Sequence, residues 1–404
     1  MPRLTNIGLL ACCRDEGGQG AIHTIPRAAL AWRGTDIAWV GPAEGLPDEY
    51  RNEERIDAGG GLVVPGLIDC HTHLAFAGWR ADEIEERIRG RTYLEVAASG
   101  GGIARTVAAT RDASSDTLVE RCMGWLGAMQ GLGVTTIEAK SGYGLDIKNE
   151  PRLLEVYETL RRTQPVRIVS TLLAAHAVPT EYAGRRGEYV EMVCHDLIPA
   201  VASRRLARFC DVFVEQSAFT AQDARTILHR AREHGLGAKL HADQITDGGG
   251  AALAAELDAI SADHLECVSA DGIAQLARAG TVAVTLPAAA LYLGRPTAPA
   301  RSLIARGVPV AVATDFNPGT APTFHLPLVM LLATTLQRMT PAEALKGVTI
   351  YAARAIGEAS AVGSLEPGKR ADFAVIDAPD VNHWVYHFAP NSCLSTYIGG
   401  VRVH

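Results

Sequence analysis

Eight short apolar runs, separated by segments of helical periodicity, constrain the fold of this chain more than any other feature of its sequence. They are Leu67 to Cys70, Val134 to Ala139, Arg167 to Ala174, Val212 to Gln216, Gly237 to Leu240, Ala259 to Asp263, Val282 to Leu286 and Val308 to Thr314. Short apolar runs suit strands buried on both faces, and strands alternating with helices build a parallel sheet. Eight of them predict a closed (β/α)8 barrel of the TIM type, which needs roughly 250 residues. Residues 66–357 suffice for it.

Ahead of that region, β-like runs at Ile7 to Cys13, Ala28 to Trp32, Asp36 to Val40 and Leu62 to Val64 are broken by Gly, Pro and Asp turn signals. Beyond it, the turn-rich segment Gly363 to Asp377 ends in another strand-like run. The expected organisation is therefore an α/β chain: a barrel over 66–357 and a small β domain built from both chain ends, 1–65 and 358–404. Helices are expected at Thr220 to His234 and from Thr340, where Thr340-Pro341-Ala342-Glu343 reads as a capping box with proline at the first helical position.

A net charge of −7 without a long basic run removes the usual electrostatic reason to expect nucleic acid or an anionic membrane as partner. A small molecule is expected instead. The eight cysteines form no CxxC pair, so they read as reduced thiols. No leader-like start and no apolar window of roughly 18 residues stand out, which makes the cytoplasm the expected location. The glycine triplets at 100–102 and 248–250 lack the Lys-Ser/Thr of a phosphate loop and read as loop or helix-start glycine.

In such a barrel the chemistry sits where the strands end. His71 and His73 end the first run, Lys140 and Tyr143 follow the second, His176 the third, and Glu215 lies on the fourth; His241, His264 and Asp315 follow the fifth, sixth and eighth. His71 and His73 are two apart, so in extended backbone both rings aim to one side. With His241 and Asp315 they supply three nitrogens and one carboxylate, a set suited to zinc or iron with room for a water. Asp315 then accepts the water's proton, or alternatively caps a loop start. His264 steadies a developing negative charge, or alternatively orients another ligand. Glu215 reads as a salt-bridge or hydrogen-bond partner in preference to a ligand of a second metal.

The Pro-Gly-Leu-Ile-Asp-Cys-His-Thr-His opening, Asp315 after the eighth run and the closing Gly-Ser-Leu-x-x-Gly-Lys-x-Ala-Asp segment resemble the amidohydrolase superfamily. More narrowly, five segments resemble the imidazolonepropionase family. They are His71 to Arg80, Ser99-Gly-Gly-Gly-Ile103, Lys140-Ser-Gly-Tyr-Gly144, Ser261-Ala-Asp-His-Leu-Glu266 and Ala313-Thr-Asp-Phe-Asn-Pro-Gly-Thr320. That resemblance implies hydrolytic opening of a small imidazolone ring bearing an acidic tail, one Zn²⁺ or Fe³⁺ per subunit held by His71, His73, His241 and Asp315, and a homodimer. It also implies substrate contacts from Arg80, Tyr93, Tyr143, His176, Asn317, Gly319 and Thr320. Arg80 suits a carboxylate tail because a guanidinium binds it bidentately.

One position departs from many related enzymes. Gln244 stands where they carry glutamate, three residues after the fifth-strand histidine, and an amide does not shuttle protons. The competing expectations are an aminohydrolase releasing ammonia from another nitrogen heterocycle and a barrel retained for binding alone. Gln244, with Arg80 and Tyr143, favours an anionic substrate and ring opening over the first. The second is expected to have lost a metal ligand, and none is missing.

Overall fold

The computed structural model describes residues 2–91, 95, 100–215 and 218–404. Near the N-terminus lie β1 (Arg3–Ala11), β2 (Thr24–Arg33), β3 (Asp36–Pro42), β4 (Arg55–Asp57) and β5 (Leu62–Pro65). Eight strands follow: β6 (Leu67–Thr72), β7 (Val134–Lys140), β8 (Arg167–Ala175), β9 (Phe209–Val214), β10 (Gly237–Ala242), β11 (Ser261–His264), β12 (Val282–Thr285) and β13 (Val310–Val312). The C-terminal end adds β14 (Phe373–Ile376), β15 (Cys393–Ile398) and β16 (Val401–Arg402).

Strands β6 to β13 pair in parallel in chain order, each with its neighbour. The sheet closes on itself where the chain beyond β13 meets β6: Thr72 bridges Phe316, Asp315 N donates to His71 O at 3.0 Å, and His73 N donates to Phe316 O at 2.9 Å. Closure is what carries Asp315 to the histidine pair. The other strands form a second sheet in the order β16-β15-β14-β5-β1-β2-β3, so β14 from the C-terminal end lies between β5 and β15. Leu4, Trp32, Phe373 and Tyr397 form its core, with the Phe373 and Tyr397 rings stacked at 4.4 Å.

The expected fourth strand shifts toward the N-terminus: it covers Phe209–Val214, Glu215 lies just past its end, and Gln216 falls outside the described residues. The helix Ala221–Glu233 starts at a capping box from Thr220, and Pro341–Gly347 starts at one from Thr340. Thr340 Oγ accepts from Glu343 N at 3.2 Å, and Glu343 Oε2 accepts from Thr340 N at 2.7 Å. Thr340→Ala orphans an N-terminal N–H and is expected to lower unfolding free energy by about 1 kcal/mol, read from the urea midpoint at unchanged slope.

Candidate active site

At the C-terminal ends of the barrel strands lies a cavity of about 690 Å³. Its buried wall includes His73, His241, His264 and Asp315, and its exposed rim carries Ile84, Ile88 and Leu291. Two overlapping triads define the polar floor. One is His71, His73 and Asp315 and the other is His71, His241 and His264, each with ligand-type atoms within 4.8 Å of one another. His71 belongs to both, with ring centroids 5.3 Å from His73 and 4.6 Å from His241. Asp315 Oδ1 lies 3.4 Å from His71 Nε2 and 3.3 Å from His73 Nε2.

The outer nitrogens explain how the rings are aimed. Asp263 Oδ2 takes the Nδ1 hydrogen of His71 at 2.7 Å, and Asp211 takes that of His241 at 3.1 Å. A carboxylate on one nitrogen fixes the tautomer and leaves the other for a ligand. The Nε2 atoms of both rings are buried without a hydrogen-bond partner among the described residues, a costly state for a ring nitrogen that no cation occupies. Burial and Lys140 push His71 down, yet Asp263 and Asp315 on its two nitrogens outweigh them and hold it up at about 9, so a cation taking Nε2 would displace a proton. Burial pushes His241 down to about 3, against the pull of Asp211, so this ring is neutral and able to ligate. The donor set thus fits a metal ion.

Backbone geometry at the strand ends is unusual. Asp315 has φ 57°, His264 φ 81° and Asp243 φ 50°, left-handed conformations in which side chains are rare. Hydrogen bonds hold them there. Asp69 accepts from Thr314 N at 3.0 Å and Thr314 Oγ at 2.6 Å, while Asp243 accepts from Gly248 N, Gly250 N and Ala251 N, anchoring the loop that carries Gln244. Gln244 lines the cavity.

Arg80, Tyr143, His176, Asn317 and Thr320 also line it; Tyr93 lies outside the described residues. Arg80 is 6% exposed, and its Nε and Nη1 have no hydrogen-bond partner among the described residues. His176 stacks on His73 at 4.9 Å and sets Nδ1 3.0 Å from Gly142 O. A carbonyl only accepts, so Nδ1 carries the hydrogen and Nε2 is an acceptor. Burial, with His73 and His241 nearby, keeps this ring well below the usual range and neutral. Gly142, at φ 104°, has no room for a side chain: a Cβ there would lie 2.9 Å from His176 Nδ1.

Asn317 also shapes its own loop. Its Nδ2 donates to Asp315 O and Thr320 Oγ, and its Oδ1 accepts from Gly319 N and Thr320 N, so its amide is engaged in building its own turn. Gly319 presses against Arg80: a Cβ on it would come within 1.1 Å of Arg80 Nη2. Gly319→Ala is therefore expected to displace the guanidinium and raise KM at least tenfold in steady-state assays, as loss of a charged hydrogen bond does.

Glu215, as expected, is a hydrogen-bond acceptor, taking Ile245 N at 3.0 Å and Thr246 N at 3.2 Å. The aspartates behind the histidines are what sequence reasoning missed. A signal was present, since Asp211 and Asp263 sit inside runs otherwise buried on both faces, where a charge needs a partner.

Residues 62–403 match the profile of the amidohydrolase family, and the chain belongs to that family. Within it the chain belongs with the imidazolonepropionases. It is 48% identical to the imidazolonepropionase of Geobacillus thermodenitrificans over 91% of this chain and 88% of the relative. To that of Solibacter usitatus it is 46% identical, over 94% and 91%. Among solved structures, the guanine deaminase of E. coli superposes with a TM-score of 0.76 at 16% identity, covering 100% of this chain and 99% of that one, a likeness of fold.

Proposed function

We propose that this chain is a metal-dependent hydrolase that opens the ring of 4-imidazolone-5-propanoate, adding water across a ring C–N bond to give N-formimidoyl-L-glutamate. The observation that carries this reading is one cavity holding both a cluster of three histidines and an aspartate and, in its wall, a buried arginine whose Nε and Nη1 meet no hydrogen-bond partner among the described residues. The first suits water activation, the second a carboxylate tail.

His71, His73, His241 and Asp315 would hold one cation. The buried groups in contact with the three histidines and with one another include more carboxylates (Asp315, Asp263, Asp211 and Glu138) than ammoniums (Lys140 and Lys239). That excess of negative charge suits a metal cation, and three imidazoles with one carboxylate suit zinc or iron. Bound there, such an ion supplies Lewis acidity, lowering the pKa of a water toward about 7 and polarising the ring carbonyl.

The chain's own groups do the rest. Arg80 pairs with the propanoate, with the Tyr143 hydroxyl beside it. His176 Nε2, an acceptor, reads a ring N–H. Asp315 takes the proton of the attacking water and returns it to the ring nitrogen as the C–N bond breaks. His264 steadies the carbonyl oxygen as it gains charge. Gln244 can bond to the ring but carries no proton.

The test is decay of the substrate's ultraviolet absorbance with metal-loaded protein; decay no faster than the uncatalysed control rejects the reading, as does ammonia release in a coupled assay. Arg80→Met is expected to raise KM roughly 10- to 100-fold with kcat nearly kept, because the tail contact is equal in ground and transition states.

A further inference from the structure

Barrel interiors are ordinarily packed with branched aliphatic residues. Below the cavity floor this one holds charged side chains with no solvent exposure, among them Glu138 and Lys140 from β7, Asp211 from β9, Lys239 from β10 and Asp263 from β11. Lys140 is their hub. Its Nζ lies 2.7 Å from Asp211 Oδ2, 3.3 Å from Asp263 Oδ2 and 3.1 Å from Glu138. An ammonium has three donors, and here it meets three carboxylates. Two of them are the aspartates that receive Nδ1 of His241 and His71. Lys239, by contrast, spans Glu138 at 3.1 Å and the carbonyl of Ala355 at 3.0 Å.

We propose that Lys140 is a positioning residue for the metal site: one buried cation fixes both carboxylates that aim His71 and His241, so the two ligands are oriented together. This rests on the reading of those histidines as ligands. With the ammonium gone, Asp211 and Asp263 lose the cation they share and repel one another across the space it filled. The imidazoles they hold then turn away from a common point.

The experiment compares wild type with Lys140→Met, reading zinc affinity by competition with a chromophoric chelator, the visible absorption of the cobalt(II)-loaded protein, and unfolding of the metal-stripped protein. Lys140→Met is expected to bind zinc about 10- to 100-fold more weakly, the usual cost of losing an outer partner of a metal ligand. Its cobalt bands should shift or lose intensity, and kcat should fall while KM holds. If that variant does not fold, Lys140→Met/Asp263→Asn removes one charge of each sign and is compared with Asp263→Asn alone; weaker zinc binding by the double variant, acting through Asp211, supports the proposal. Zinc affinity and cobalt spectrum equal to the parent's in the background that folds overturn it and make Lys140 a structural charge only. A wild type that binds neither ion overturns the metal reading itself, and this inference with it.

Discussion

Asp315→Asn is expected to lower kcat by about 10²- to 10⁴-fold and leave KM nearly unchanged, the range for loss of a general base that acts only in the transition state. Asparagine keeps the size of the side chain and one carbonyl oxygen, so the turn built by Asn317 and Thr320 and the closure of β6 on the chain past β13 persist. The variant loses the negative charge on which His71 Nε2 and His73 Nε2 converge, and with it the capacity to take a proton from water. Burial alone would raise the Asp315 carboxyl, but His71 and His73 hold it well below the usual range, so the group is ionised. Steady-state kinetics on the imidazolone, with metal content measured in parallel, checks this. A variant within tenfold of wild type at equal metal content removes Asp315 from the proton path.

Metal removal is expected to have the other large effect. Dialysis against a chelator should reduce turnover to the uncatalysed rate, and one equivalent of zinc per chain should restore it. The physical reason is the cluster of buried carboxylates around His71, His73 and His241, which loses a cation when the ion leaves and is then offset only by a proton on His71 and by the two buried lysines. Stability follows the same linkage. An ion that binds only the folded chain adds about 4 kcal/mol when its free concentration is 1,000 times its Kd. Calorimetry of stripped and reloaded protein should therefore show a clear rise of Tm on reloading; equal Tm values would mean that no such site forms.

Much of this was legible in the sequence for identifiable reasons. Strands buried on both faces read as continuous apolar runs, so all eight barrel strands were visible, and the His71/His73 pair fell at the end of the first. The capping box at Thr340 announced a helix start because its chemistry is local, and the helix expected from Thr220 starts at a second such box. Less visible were features that depend on closure. Asp263 meets His71 from 192 residues away, and Lys140 meets Asp211 from 71, which no local pattern reveals. Strands β15 and β16 also escaped notice, since β15 is mixed in polarity, with Ser395 and Thr396 at its centre, and β16 spans two residues. Spacing placed Asn317 at the cavity, where it lies, but said nothing of the turn its amide builds.

Mass analysis of the product tests the central claim most directly. Metal-loaded protein mixed with 4-imidazolone-5-propanoate should yield N-formimidoyl-L-glutamate, the substrate plus one water, and metal-stripped protein should not. An unchanged substrate mass, or a product that has lost ammonia, would contradict ring opening by this site.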